Sequence, residues 1–399
     1  MTTYVGTMRR SRLADSRTVG VVGIVLGVLA FVLAIPPVTL RTPVWPIVVG
    51  IFALLFGMVS VTRGGGRVGW QAVAAGILGT GLALLAMQSS VSNLNQVVDA
   101  SLIAQMLVFA TPLTFAAIGG MFSERSGVVN IGLEGMMLMG AFWGIWGADV
   151  TGNWIGGVLI AMLSGGLLAL VHAIFAIHLR ADQIVGGTAV YFLALGITGY
   201  FFVQLYHGGN IPTGVSQIPN LHLTSPSSSS FFGDSFGNLN YMIWAGILLV
   251  PLSYVVMFKT PLGLRIRACG EHPRAADTVG INVYLVRYCS VVLSGVLAAM
   301  GGAYLTVGFL GTFNENVTAG RGFIALAALI FGNWRPFGAF GAALLFGLST
   351  AVALRLHVYS DLASTLFQSL PYVLTLIAVA GVIGRTIPPA AVGRPYKKQ

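Results

Sequence analysis

Apolar positions in this chain run in long blocks separated by short polar stretches. The blocks lie near residues 19–36, 44–62, 70–88, 102–122, 128–147, 155–178, 184–206, 241–258, 288–310, 337–356 and 365–384. Each approaches the roughly 20 residues that an α-helix needs to cross the hydrocarbon of a bilayer. A shorter run, Phe323 to Phe331, lies between Gly322 and the turn Gly332-Asn333-Trp334-Arg335-Pro336, and reads as a short crossing or as half of a broken one. Gly127, Gly132 and Gly135 allow a bend or a second break. Such breaks occur in membranes where backbone lines a cavity instead of lipid. The pattern predicts an all-α polytopic membrane protein of about 10–12 transmembrane helices, with breaks near 128–135 and 323–335. Arg9, Arg10, Arg12 and Arg17 before the first block mimic a signal peptide. That block ends in Ile35-Pro36-Pro37 without a small-x-small cleavage site, so it reads as a retained helix.

The placement of charge sets an orientation. With the first block entering from the inside and 323–331 counted as a crossing, 18 of the 21 Lys and Arg residues fall inside; only Arg41, Arg321 and Arg355 fall outside. Basic residues favour the cytoplasmic side, so both termini are expected in the cytoplasm. Composition agrees with a lipid environment: 56% of residues are hydrophobic and only 8% charged, too few for a water-facing surface. The net charge of +10 is then a topology signal and calls for no nucleic acid.

Several classes of chemistry are excluded. Lys259, Lys397 and Lys398 are the only lysines and none follows a Gly-x-x-x-x-Gly pattern, so the chain has no phosphate loop of its own. Cys269 and Cys289 form no disulfide framework, and no metal cluster is expected. His172 and His178 lack a matching carboxylate pair, which leaves an intramembrane enzyme unsupported.

Two loops stand out. Residues 206–240, with Ser227 to Ser230, read as a flexible or lightly structured external segment. Residues 259–287 form the largest internal loop, with Arg265, Arg267, Glu271, Arg274, Asp277 and Arg287 among small and apolar residues. Pro261 and Pro273 suit the first turns of two short helices there. Within the apolar blocks a few polar residues invite a role. Glu134, with Asn130 one turn earlier, either lines a path or latches helices, or is held structurally by Asn130. Asp182 fits a helix cap, whereas Gln183 and Thr188 fit either the path or close packing. Asn333 ends the short run, and Tyr191, Phe142, Trp143 and Trp146 suit either interfacial packing or stacking on a ring.

Three stretches carry a resemblance. The internal loop reads Thr260-Pro-Leu-Gly-Leu-Arg-Ile-Arg-Ala-Cys-Gly-Glu-His-Pro-Arg-Ala-Ala-Asp-Thr-Val-Gly-Ile-Asn282, followed by Leu293-Ser-Gly-Val-Leu-Ala-Ala-Met-Gly-Gly-Ala-Tyr304. The others are Phe122-Ser-Glu-Arg-Ser-Gly-Val-Val-Asn-Ile-Gly-Leu-Glu-Gly-Met-Met-Leu-Met-Gly-Ala-Phe142 and Ala181-Asp-Gln-Ile-Val-Gly-Gly-Thr-Ala189. Together they resemble the ABC importer permeases of the branched-chain amino acid, ribose and nucleoside group, most closely its nucleoside (simple sugar) branch. Tyr191 and His272 stand where that group often has Asn.

The resemblance covers roughly residues 100–385. It implies a cytoplasmic segment 1–18, helices over 19–88 partly outside the common core, a permease core 100–385 and a cytoplasmic basic tail 386–399, in a multi-pass protein of the bacterial cytoplasmic membrane. It further implies an ATPase subunit carrying ATP and Mg, with no cofactor on this chain, a second permease chain, and an external binding lipoprotein that delivers a small-molecule ligand. The docking loop would use Arg265, Arg267, Gly270, Glu271, Pro273, Arg274, Ala275, Ala276, Asp277 and Gly280. Ala275, Ala276 and Gly280 would allow close approach. Candidates for the path are Asn130, Glu134, Gln183, Thr188, Tyr191 and Asn333. Nucleosides lead as ligand, ahead of simple sugars and branched-chain amino acids; an ion-coupled secondary transporter is the alternative of another class.

Overall fold

The computed structural model describes residues 16–34, 44–88, 101–207, 214–222, 231–357 and 387–398, with positions 365, 368, 369 and 372. Seven helices among these are long and apolar enough to cross a membrane. The block expected at 365–384 lies outside the described residues apart from those four positions. The chain forms two compact units, residues 1–102 with 352–385, and residues 103–351 with 386–399.

In the first unit, α1 (Ser16–Ala34), α2 (Val44–Thr62) and α3 (Gly66–Gln88) pack on one another. Small residues face inward: Ala30, Ala53 and Ala72 are fully buried, whereas Val25, Phe52, Met58 and Trp70 are exposed. Small-inside, large-outside is the rule for helices whose solvent is lipid, because packing rather than the hydrophobic effect joins them. The Ser60 hydroxyl donates to the Ser16 carbonyl at 2.6 Å and ties α2 to the start of α1.

The second unit contains α4 (Ser101–Arg125), α5 (Leu133–Thr151), α6 (Trp154–Ala173, continued by a π-helical turn, Ile174–His178) and α7 (Gln183–Tyr206). After the strand β1 (Asn220–His222), the short α8 (Phe231–Phe236) and β2 (Asn238–Asn240) come α9 (Tyr241–Lys259), α10 (Pro261–Glu271) and α11 (Pro273–Thr278). Then follow α12 (Val283–Ala303, continued by π-helical Tyr304–Leu310), α13 (Arg321–Phe331) and α14 (Pro336–His357), of which residues 352–357 belong to the first unit.

Helix starts follow local sequence. Asn153, Asp182, Asn240 and Asn282 each accept a backbone N–H of the helix they precede, which satisfies donors that have no partner within the helix. The core of the unit is where α5, α6 and α12 meet backbone to backbone. Gly302 sits against the Met137 carbonyl with no room for a Cβ. The π-helical end of α12 is fixed there by Thr306, whose hydroxyl donates to the Ala141 carbonyl at 2.7 Å.

The segment expected as a lightly structured loop is pinned at its described ends. β1 and β2 pair antiparallel, Leu221 opposite Leu239. Asn240 Nδ2 donates to the Ile218 carbonyl at 2.9 Å and the Gly308 carbonyl at 3.2 Å. Ser227 to Ser230 fall outside the described residues.

Candidate functional site

Glu134 lies in the first turn of α5 and is fully buried. Its Oε1 accepts from the Thr318 hydroxyl at 2.6 Å and the Gly320 N–H at 2.8 Å, and its Oε2 accepts from the Gly322 N–H at 2.5 Å. Gly320 and Gly322 flank the start of α13. The carboxylate therefore satisfies orphan donors of that helix and meets the positive end of its dipole. A Cβ on Gly322 would lie 2.5 Å from Glu134 Cα, so only glycine lets the starts of α5 and α13 touch. Of the readings open for Glu134, a bond to Asn130 is not formed: Asn130 donates from Nδ2 to Ser294 Oγ at 2.9 Å.

Asn130 belongs to the turn between α4 and α5, where Ser126, Val128 and Asn130 are all fully buried. Side chains from three helices collect its backbone groups. The Val129 N–H donates to Gln183 Oε1 at 2.8 Å, His172 Nε2 lies 3.0 Å from the Val129 carbonyl, and Arg287 Nε donates to the Ser126 carbonyl at 3.1 Å. Irregular backbone survives at membrane depth only when partnered in this way. Asn130 and Gln183 are thus turned onto the chain itself.

On α7, Thr188 donates to the Val185 carbonyl at 2.8 Å. One turn later Tyr191 stands edge-on to Phe323 of α13, ring centres 5.6 Å apart. Asn333 lies at the other end of α13, in a turn where it and Trp334 both have left-handed backbone, φ 54° and 53°. Its Oδ1 accepts from the Ile387 N–H at 3.2 Å. Two neighbours in α4 hold that turn: Trp334 Nε1 donates to Glu124 Oε2 at 2.5 Å, and Arg125 Nε donates to the Trp334 carbonyl at 3.0 Å. Sequence reading passed over Glu124. A carboxylate at the edge of an apolar block was the available signal.

The internal loop folds as the two short helices expected, with Pro261 and Pro273 in their first turns and Thr260 capping α10. A small core forms on them from Cys269, Ala276, Val283 and Tyr396. The last of these comes from residues 387–398, which return as a strap. The Ala391 N–H donates to the Gly270 carbonyl at 2.8 Å and the Ala390 N–H to Glu271 Oε2 at 3.1 Å. Arg287 Nη1 donates to the Arg394 carbonyl at 3.2 Å, and its guanidinium lies 5.9 Å from the centre of the Tyr396 ring. Lys398 Nζ is 3.8 Å from Asp277. Burial, then the hydrogen bond and charge of Asp277, pushes the Tyr396 hydroxyl up to about 12. Burial pushes the Cys269 thiol up to about 11.

This strap corrects the expectation for the loop. Ala276 does not face outward but packs in the internal core. Gly270 lies against the Arg125 carbonyl with no room for a Cβ. Asp277 faces the strap, and Arg267 lies over the Phe258 ring at 5.0 Å. Pro273 is half-buried; Arg265, Glu271, Arg274, Ala275 and Gly280 are exposed. Leu262, Leu264 and Val279 join them, Val279 at 74% exposure. Among the described residues no group of three or more His, Cys, Asp or Glu is placed to hold a metal.

The family described as branched-chain amino acid transport system / permease component matches residues 102–379. The guanosine ABC transporter permease protein NupQ of Bacillus subtilis is 44% identical over 308 residues, 73% of this chain and 95% of that protein. The nucleoside ABC transporter permease protein NupC of Lactococcus lactis is 40% identical over 309 residues, 74% of this chain and 96% of that one. A putative glucose ABC transporter permease protein, TsgC13 of Haloferax volcanii, is 35% identical over 62% of this chain and 74% of its own length. No solved structure matches. The family match begins where α4 begins, leaving α1–α3 outside it, and takes in the Glu134 latch, α10 and α11. The chain belongs to the permease components of the branched-chain amino acid transport family, and is a multi-pass membrane subunit of an ABC importer.

Proposed function

We propose that this permease imports nucleosides, driven by a separate ATPase that docks on the exposed corner of α10 and α11 on the cytoplasmic side of a bacterial plasma membrane. The observation that carries the docking is the corner itself. Its inner face is locked by the strap, while its outer face leaves Leu262, Leu264, Ala275 and Val279 uncovered beside Arg265, Glu271 and Arg274. Apolar residues exposed on a rigid element outside the bilayer suit a partner protein. The basic residues favour the cytoplasm for this end. The ATPase carries ATP and Mg, and this chain supplies no cofactor.

Contiguous contacts lead inward from the corner. Gly270 sits on Arg125, Arg125 holds the Trp334 carbonyl, Trp334 closes the turn after α13, and the start of α13 hangs on Glu134. A push at the corner thereby reaches the half-helix through packed elements. The transport task is then a difference in stability between two arrangements of these contacts. The guanosine and nucleoside relatives support the ligand class. A second permease chain would complete the path, and an external binding lipoprotein would deliver the ligand.

The test is co-purification and uptake. The ATPase is expected to co-purify with the wild-type chain and to be lost with Val279→Asp or Ala275→Trp, both at exposed positions. Retention of the ATPase in both variants would refute the docking face. Uptake of labelled guanosine into vesicles is expected to stop when the ATPase is inactivated; continued uptake would favour an ion-coupled transporter.

A further inference from the structure

We propose that Asn314, Glu315 and Asn316 form an outward-facing ligand contact of this permease, with Glu315 accepting hydrogen bonds from the hydroxyls of a ribosyl ligand. The inference deepens the importer reading above and rests on it for the ligand class.

The first support is depth. The turn after α13 is bound to Glu124 and Arg125 at the end of the 25-residue α4, which places it at one face of the membrane. At 1.5 Å per residue, the 11 residues of α13 raise its start, and Glu134, by about 16 Å. Phe313 packs on Phe142 at 5.1 Å between ring centres. Phe142 stands eight residues beyond Glu134 on α5, a further ~12 Å. Residues 314–316 thus lie between about 16 and 28 Å into a hydrocarbon layer ~30 Å thick.

At that depth they are neither helical nor buried. Asn314, Glu315 and Asn316 are all exposed, and among the described residues their side chains have no hydrogen-bond partner. Lipid-exposed irregular backbone does not occur within the hydrocarbon; it is tolerated where it lines a water-filled cavity or is covered by protein. An exposed Glu at this level points to the aqueous path.

The segment is also held rigidly. Asn316 and Ala319 have left-handed backbone, φ 54° and 44°, a conformation that persists in non-glycine residues when surroundings impose it. The imposing group is Glu134, through Thr318, Gly320 and Gly322. Phe323, exposed, and Tyr191 stand at the start of α13 as a wall below the polar segment. Two amides, a carboxylate and an aromatic wall suit a ligand with a flat ring and adjacent hydroxyls.

The test uses the assembled complex in vesicles, with two readouts. First, the ratio of uptake of guanosine to 2′,3′-dideoxyguanosine is measured for wild type and Glu315→Gln. The wild type is expected to favour the ribosyl form and the variant to lose about tenfold of that preference, with the yield of the complex unchanged. An unchanged ratio would overturn the proposal. Second, in a Cys289→Ser background, Glu315→Cys is expected to react with a membrane-impermeant maleimide added outside. Protection of that thiol in the assembled complex would show a partner chain covering the segment and would equally overturn the proposal. A wild type that imports no nucleoside would refute the ligand class, and thiol access would still decide whether the segment lines the path.

Discussion

Replacing Glu134 tests the latch between α5 and α13 directly. Its carboxylate accepts from three donors, of which Thr318 and Gly322 are buried and Gly320 half-buried. Glu134→Ala leaves a hydroxyl and two N–H groups without a partner. An unsatisfied buried donor costs about 1–3 kcal/mol, and losing a negative charge at a helix N-terminus costs about 0.3–1 kcal/mol. With some relief from water entering the cavity, the loss is about 4 kcal/mol. Glu134→Gln keeps one oxygen, enough for Thr318 and Gly320, but sets its amide N–H₂ against the Gly322 N–H. That variant loses about 2 kcal/mol. The assay is native-state hydrogen exchange at the Gly320 and Gly322 amides in the full chain. Local opening free energy falls by the same amounts, so exchange accelerates about thirtyfold in Glu134→Gln and several-hundredfold in Glu134→Ala. Wild-type protection of both amides in Glu134→Ala would show that the carboxylate does not hold the half-helix.

Other expectations follow from the strap. Cys269 is buried and Cys289 exposed, so a maleimide at neutral pH labels Cys289 alone; Tyr396→Ala, which uncovers Cys269, raises its labelling at least tenfold. Arg287→Ala abandons the Ser126 and Arg394 carbonyls and costs about 3 kcal/mol, read as a lower thermal midpoint in detergent. The raised Tyr396 hydroxyl contributes stability that is complete below its ordinary value near 10 and is lost as pH rises through about 12. A spin label at Lys398→Cys, in a Cys289→Ser background, is therefore expected to gain mobility across that window, and to show no such transition with Tyr396→Phe.

Where the sequence and the structure agree, a local rule decides the outcome. The apolar block at 44–62 coincides with α2, and the block at 155–178 ends with the π-helical turn at His178, because length in hydrocarbon sets both. Pro261, Pro273 and Asp182 act within a turn of themselves and were readable as helix starts. The apolar block at 128–147 starts before its helix does. Residues 128–132 are mostly apolar, yet the Val129 backbone is claimed by Gln183 and His172 and the Asn130 side chain by Ser294, and α5 begins only at Leu133. The partner of Glu134 lies 184 to 188 residues away, beyond any periodicity. Asn130 stands one turn from Glu134, and packing against α12 draws it to Ser294 instead. The inward turn of Ala276 was equally hidden, since its partner Tyr396 stands in a stretch whose Lys and Arg residues read as a solvated tail.

Residues 387–398 also impose an order on biosynthesis. They are made after every helix of their unit, yet they complete the core beneath α10 and α11 and supply the backbone that meets Gly270 and Glu271. Until they arrive, Cys269 and Ala276 lack the Tyr396 ring and Arg287 lacks one of its carbonyls. The corner of α10 and α11 is thus closed only after both helices have been made. A chain interrupted before residue 387 would leave that apolar underside open to chaperones and proteases.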